Sequence, residues 1–216
     1  MTAQLLVLAK TPVPGRVKTR LCPPCTPRQA AAIAAAALGD TLDVVTATPA
    51  AARTLVVAGD LPAPAGWRRV AQSGGPLGER LAHAYADTRI PGTASLLIGM
   101  DTPQITAGLL ADAIDRLGGD GTDAVLGLAC DGGWWALGLR DPGHAEVLRD
   151  VPMSTPDTGA LTLAALRGRG LTVSALPVLR DVDTAADALL VAGLCPAGSR
   201  FARAVPDLVP TAQVAP

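Results

Sequence analysis

The chain holds two lysines against sixteen arginines, and both lysines, Lys10 and Lys18, fall in the single stretch KTPVPGRVKTR at 10–20. Arg16 and Arg20 bring the cations of that stretch to four, and it directly follows the apolar run LLVLA. Pro12, Pro14 and Gly15 shape it as a loop between a strand and a helix. A glycine-containing loop with several cations ahead of a helix is how proteins hold phosphate chains. Lys10, Gly15, Arg16, Lys18 and Arg20 are therefore candidates for nucleotide binding. The stretch is not a Walker A loop, since valine rather than glycine precedes KT, so a P-loop ATPase or kinase is disfavoured. On its own, a solvated basic turn fits it too.

Two further stretches carry carboxylates at strand ends. SLLIG runs into MDTPQIT, which places Asp101 at a strand end. It would face a cleft there, or it would merely form an Asx-turn before the next helix. In LRDVDTAADALL, Asp181 and Asp183 share one side of an extended segment. Thr184 and Asp187 make a T-x-x-D capping pattern, so the helix start is accounted for and Asp183 is left free. Carboxylates from separate strand ends suit Mg²⁺ or Mn²⁺, hard cations that also take phosphate oxygens.

In LGLACDGGWWALGL, two apolar runs flank DGG, the mark of a hairpin-like turn. Its glycines would equally let backbone approach a bulky ligand. Trp134 and Trp135 alternate faces of the strand that follows, one toward a pocket and the other toward the core. QSGGPLGERLAHA adds a second glycine-rich turn, in which Gln72 would read a base edge and Gly74 and Gly75 would approach ribose; a plain loop fits equally. CPPC at 22–25 is the remaining motif. No second CxxC completes a four-thiolate zinc site, so Cys22 and Cys25 compete as a redox pair or as loop thiols with no assigned task.

These residues need a scaffold that gathers strand ends. Strand-like runs lie at 5–9, 54–58, 95–99, 123–128, 134–139 and 171–176, with helical patterns at about 27–47, 77–88, 106–117, 157–168 and 185–193. Short apolar strands alternating with helices predict a mainly parallel sheet covered on both faces, with ligands beyond the carboxyl ends of its strands. At 216 residues, with no internal linker or repeat, a single domain over 1–205 is expected, followed by a poorly ordered tail at 206–216. A net charge of −1 and 2% aromatics lack the basic face and stacking platforms of a nucleic-acid reader. No positive segment precedes QLLVLA, and AAAIAAAALG is half a membrane span, so neither a signal peptide nor a membrane partner is expected and the reading is cytoplasmic. Oligomeric state is not legible.

Together, AKTPVPGRVKTRL, GMDTPQIT, LACDGGWWALGL and LRDVDTAADAL resemble the family of transferases similar to 2-phospho-lactate guanylyltransferase, from about residue 4 to 192. More distantly they are similar to molybdenum-cofactor guanylyltransferases and sugar-nucleotide pyrophosphorylases. The resemblance implies the nucleotide-diphospho-sugar transferase (glycosyltransferase A) fold, a Rossmann-like three-layer α/β/α architecture with a mixed seven-stranded sheet. It implies a divalent metal on Asp101 and Asp183, Lys18 on the nucleotide phosphates, and Asp131, Gly132, Gly133 and Trp134 on the acceptor side. Trp134 stands where the family usually has tyrosine. The expected activity is nucleotidyl transfer from a nucleoside triphosphate to a phosphorylated small molecule, catalysed around Lys18 and Asp101. The alternative is a glycosyltransferase using a nucleotide-diphospho-sugar.

Overall fold

A computed structural model describes residues 3–210. The chain runs β1 (Ala3–Lys10), α1 (Pro27–Ala47), β2 (Ala52–Ala58), β3 (Arg68–Ala71), α2 (Leu77–Thr88), β4 (Ala94–Ile98), α3 (Ala107–Gly118), β5 (Ala124–Ala129), β6 (Trp134–Leu139), α4 (Thr158–Gly168), β7 (Val173–Leu179), α5 (Ala185–Ala192) and α6 (Arg200–Leu208). Short 3-10 segments cover Thr19–Leu21 and Pro142–Asp150. The strands form one seven-stranded sheet in the order β3-β2-β1-β4-β6-β5-β7. Only β6 is antiparallel to its neighbours, β4 and β5.

The central strands are apolar throughout because both faces are covered. Leu5, Val7 and Ala9 of β1 pack with Leu96 and Ile98 of β4 toward α1 and α3. Leu6 and Leu97 point the other way, into a cluster with Leu81 and Tyr85 of α2 and Leu166 of α4. Each fully buried leucine contributes about 1.5–3 kcal/mol relative to an exposed one. The expected three-layer α/β/α architecture is thus observed, with a third cluster where α1 meets α5 and α6.

Helix α1 is apolar and long enough to cross a membrane by length and composition, but Ile33, Ala37, Leu38 and Val45 are buried in the fold. Its Asp40 turns to α6, accepting from the backbone N–H groups of Arg200 (2.9 Å) and Phe201 (2.8 Å). A carboxylate on a helix N-terminus satisfies donors that the helix itself cannot.

Three features depart from the sequence expectation. β3 lies where no strand was expected, after the stretch DLPAPAGW at 60–67: it is a short, exposed edge strand beginning at two arginines, and its register against β2 pairs Thr54 with Arg68. The 3-10 segment Pro142–Asp150, where no element was expected, buries Pro142, Ala145 and Leu148 at a spacing of three, with Val147 beside them. The tail expected from Pro206 is helical to Leu208, and Val209 is buried. Phe201 and Val205 anchor α6, and Pro206 is tolerated near its end. The rest of the expected tail, 211–216, lies outside the described residues.

Candidate active site

The chain turns from β1 to the β2 side of the sheet and then returns to β4, so β1 and β4 flank a topological switch point. The loop after β1 supplies Lys18 there. Its backbone lies in the left-handed region, with φ of 45°, at a cost of about 1–2 kcal/mol for a residue with a side chain. The ammonium donates to Asp101 Oδ2 at 2.7 Å and to Asp183 Oδ1 at 2.9 Å. Burial pulls the Lys18 pKa down, but Asp101 and Asp183 outweigh it and hold the group above its ordinary value. Backbone strain of this kind, kept in place by surrounding contacts, clusters at active sites and ligand clamps.

Backbone stitching brings the two carboxylates together. Val182 N–H donates to the Asp101 carbonyl at 3.0 Å. Gln104 Nε2 donates to the Arg180 carbonyl at 2.6 Å, so the segment after β7 is sewn to the loop after β4. The capping box is formed as expected: Thr184 Oγ1 accepts from Asp187 N–H at 3.2 Å, and Asp187 Oδ2 accepts from Thr184 N–H at 2.9 Å. Asp183 is thereby free for Lys18 and for Arg20, whose Nη1 lies 3.1 Å from its Oδ2.

A third loop contributes Asp131, after β5. Asp131, Asp181 and Asp183 each offer a carboxylate oxygen within 4.8 Å of the others. Burial first, and then the charges of Asp101, Asp131 and Asp183, push Asp181 up to about 7. The expected metal set of Asp101, Asp181 and Asp183 is therefore rearranged. Among the described residues the triple whose carboxylate oxygens come together is Asp131, Asp181 and Asp183, and Asp101 stands outside it with its carboxylate on Lys18. Asp131, expected on the acceptor side, stands with the other carboxylates.

Two adjoining cavities, of about 500 and about 310 Å³, share Arg20, Met100, Asp101 and Asp183. Lys10, Arg16 and Lys18 line the smaller one. Asp131, Gly133, Trp134 and Asp181 line the larger. The two tryptophans divide as expected: Trp134 faces the cavity, while Trp135 is 2% exposed and donates to the Pro177 carbonyl at 3.0 Å. Trp135 packs against Gly127, where any Cβ would strike its ring.

The DGG turn does close a hairpin between β5 and β6. Gly132, at φ of 89°, does not open toward a ligand: a Cβ there would collide with the Pro156 carbonyl. Gly159 N–H donates to the Gly132 carbonyl at 2.8 Å. The turn is seated on the 152–159 segment, and the close approach its glycine permits is between two loops of the protein.

Several expected nucleotide contacts are not brought to either cavity. Gln72 spends its amide on the Ala9 carbonyl (2.7 Å) and the Val56 carbonyl (3.3 Å), and its oxygen accepts from Arg80 at 3.2 Å. Gly75 N–H donates to Glu79 at 2.8 Å, and Gly74 lies against Glu79 and His83, so this turn serves the start of α2. Gly15 makes its turn at φ of 75° without lining the cavities. Cys25 is buried with Leu21 and Ile33, and Cys22 packs beside it; both thiols are free. The 152–159 wall carries no sequence motif, and Met100, inside GMD, offers no chemistry that would single it out.

Residues 31–155, more than half of the chain, match the family described as "Uncharacterized protein conserved in bacteria (DUF2064)", a match that includes Asp101 and Asp131. No curated protein matches the chain. Among solved structures it is similar to a "putative nucleotide-diphospho-sugar transferase" from Desulfovibrio desulfuricans G20, at 26% identity and a TM-score of 0.84, over 96% of this chain and 95% of that one. It shares its fold with Rv0371c of Mycobacterium tuberculosis H37Rv in complex with manganese, at 22% identity and a TM-score of 0.54, over 88% and 98%. The same holds for a cytidylyltransferase from Leptospira borgpetersenii serovar Hardjo-bovis, at 13% identity and a TM-score of 0.57, over the full length of both chains. The chain thus belongs to the bacterial family DUF2064 and carries the nucleotide-diphospho-sugar transferase fold that its four sequence blocks implied.

Proposed function

We propose that this protein is a transferase that moves a nucleoside monophosphate from a nucleoside triphosphate to a phosphorylated small-molecule acceptor. An acceptor phosphate oxygen forms a bond to the α-phosphorus, the bond from that phosphorus to the bridging oxygen breaks, and pyrophosphate leaves. The observation that carries this reading is the basic cavity of Lys10, Arg16 and Lys18 opening directly onto Asp101 and Asp183. A triphosphate brings more negative charge than a nucleotide sugar, and its leaving pyrophosphate needs several cations at once.

The carboxylates fit a divalent cation. All offered ligand atoms are oxygens, as Mg²⁺ and Mn²⁺ require. The ammonium of Lys18 between Asp101 and Asp183 acts as a stand-in ion, since these groups already share one positive charge. Asp183 and Asp181, with Asp131 or Asp101 beside them, would hold the metal. When bound, it would neutralise charge on the α-phosphate and on the attacking oxygen. Lys18 holds the two carboxylates in register and adds its positive charge to the wall of the basic cavity, where a phosphate chain would lie. Arg16 and Arg20 would steady the departing pyrophosphate, while Gly133 and Trp134 border the acceptor. The manganese complex of Rv0371c and the cytidylyltransferase, built on the same fold, support the reading.

The description of the Desulfovibrio structure favours a second reading, in which a nucleotide-diphospho-sugar is the donor. A thermal-shift panel of triphosphates and nucleotide sugars with Mg²⁺ or Mn²⁺ separates the two. A ligand at a hundred times its Kd stabilises the fold by about 2.7 kcal/mol. A shift with a triphosphate and metal, and none with nucleotide sugars, is expected. The opposite selectivity overturns nucleotidyl transfer.

A further inference from the structure

The larger cavity has two unlike kinds of wall. Its charges are Asp101, Asp131, Asp181 and Asp183 on the strand-end loops, with Arg20 as the one cation among the described lining residues. The remainder is largely hydrocarbon: Leu8, Leu77, Leu81, Leu97, Trp134 and Met153. These six belong to one contiguous apolar cluster beneath α2 and the sheet. They therefore form a continuous surface, not scattered patches.

The polar groups that border this surface are partly spent. Thr158 Oγ1 donates to the Pro152 carbonyl at 2.9 Å and accepts from Thr155 N–H at 3.1 Å. A polyol buried here would meet Ser154 and Thr155 at one edge and hydrocarbon over the six apolar residues, so hydroxyls facing the latter would lack partners, and each unmade bond costs affinity. A molecule with a second phosphate would meet carboxylates and only one guanidinium. The wall that carries Trp134 is also firmly built, since the Gly132 turn rests on Pro156 and is bonded to Gly159.

We infer that the acceptor is a monophosphate of an apolar body, alkyl or aryl, and not a sugar phosphate. The phosphate lies at the carboxylate end with the metal and Arg20, and the hydrocarbon lies against Trp134, Leu81 and Met153. This deepens the nucleotidyl-transfer reading, on which the naming of an acceptor rests.

The test is calorimetric titration, with Mn²⁺ and no nucleotide, of ethyl, butyl and hexyl phosphate and of glucose 1-phosphate. Affinity is expected to rise roughly threefold to fourfold per added methylene. Glucose 1-phosphate is expected to bind more weakly than butyl phosphate. Trp134→Ala should flatten the series and Trp134→Tyr, which keeps the aromatic face, should retain it. A flat series in the wild-type protein, tighter glucose 1-phosphate, or no binding by any alkyl phosphate overturns the inference. Because nucleotide is absent, the two readings fail separately. A steep series with no turnover of any triphosphate sinks nucleotidyl transfer and leaves the apolar pocket standing. Triphosphate turnover with a flat series does the reverse.

Discussion

On one side of the cleft, residues 10–20 carry four cations on long side chains, and Lys10, Arg16 and Arg20 are exposed. On the other, the 131–134 turn and the 152–159 segment meet backbone to backbone, with no room for a Cβ at Gly132. The first side has charge and reach; the second has shape. Lys18 is the exception on the cationic side, buried to 13% side-chain exposure and fixed by two carboxylates. A phosphate chain changes geometry during reaction and is well served by adjustable cations. An acceptor that must present one oxygen in line is better served by a rigid wall.

Substitutions on each side should fail differently. The largest effect is expected where the two sides meet. Asp101→Asn removes one of the two charges that hold Lys18 and should lower turnover about a hundred- to thousandfold. Its denaturant unfolding should stay cooperative, as followed by circular dichroism. Near-normal turnover would show that Asp101 only shapes its loop. On the rigid side, Gly132→Ala places a methyl against Pro156 from a left-handed backbone and should destabilise by about 3 kcal/mol. A midpoint of chemical denaturation close to wild type would show that the wall yields. On the adjustable side, Arg16→Ala should leave stability unchanged and weaken triphosphate binding by about 1 kcal/mol or less, an effect that fades as salt rises. A salt-independent loss would mean that Arg16 packs and does not merely attract.

The same contrast decides what could be read in advance. Strand ends, cations and capping patterns are local, so β1, β4 and β7, the capping box at Thr184, and the candidates Lys18, Asp101 and Asp183 were all legible. Asp183 was found by elimination, once Thr184 and Asp187 had accounted for the helix start. The convergence of Asp131 on Asp181 and Asp183 was not legible, because it depends on how the β5–β6 hairpin sits on 152–159. Gln72 is a related case: a glutamine beside glycines suits base recognition or a plain loop equally, and its amide braces the ends of β1 and β2. The edge strand β3 spans four residues and is too short to stand out, whereas α6 spaces Phe201, Val205 and Leu208 along one face and is hidden by the Pro206 near its end. Rigid walls leave little local trace in sequence; charged loops leave a great deal.

Manganese binding tests the central arrangement most directly, by electron paramagnetic resonance on the wild-type protein and on Asp183→Asn. Asp183 is the one carboxylate shared by the lysine pair and the acidic triple. The wild type should bind manganese at this site, and Asp183→Asn should bind at least about tenfold more weakly. Equal affinity in the two proteins would contradict a metal held where these loops meet.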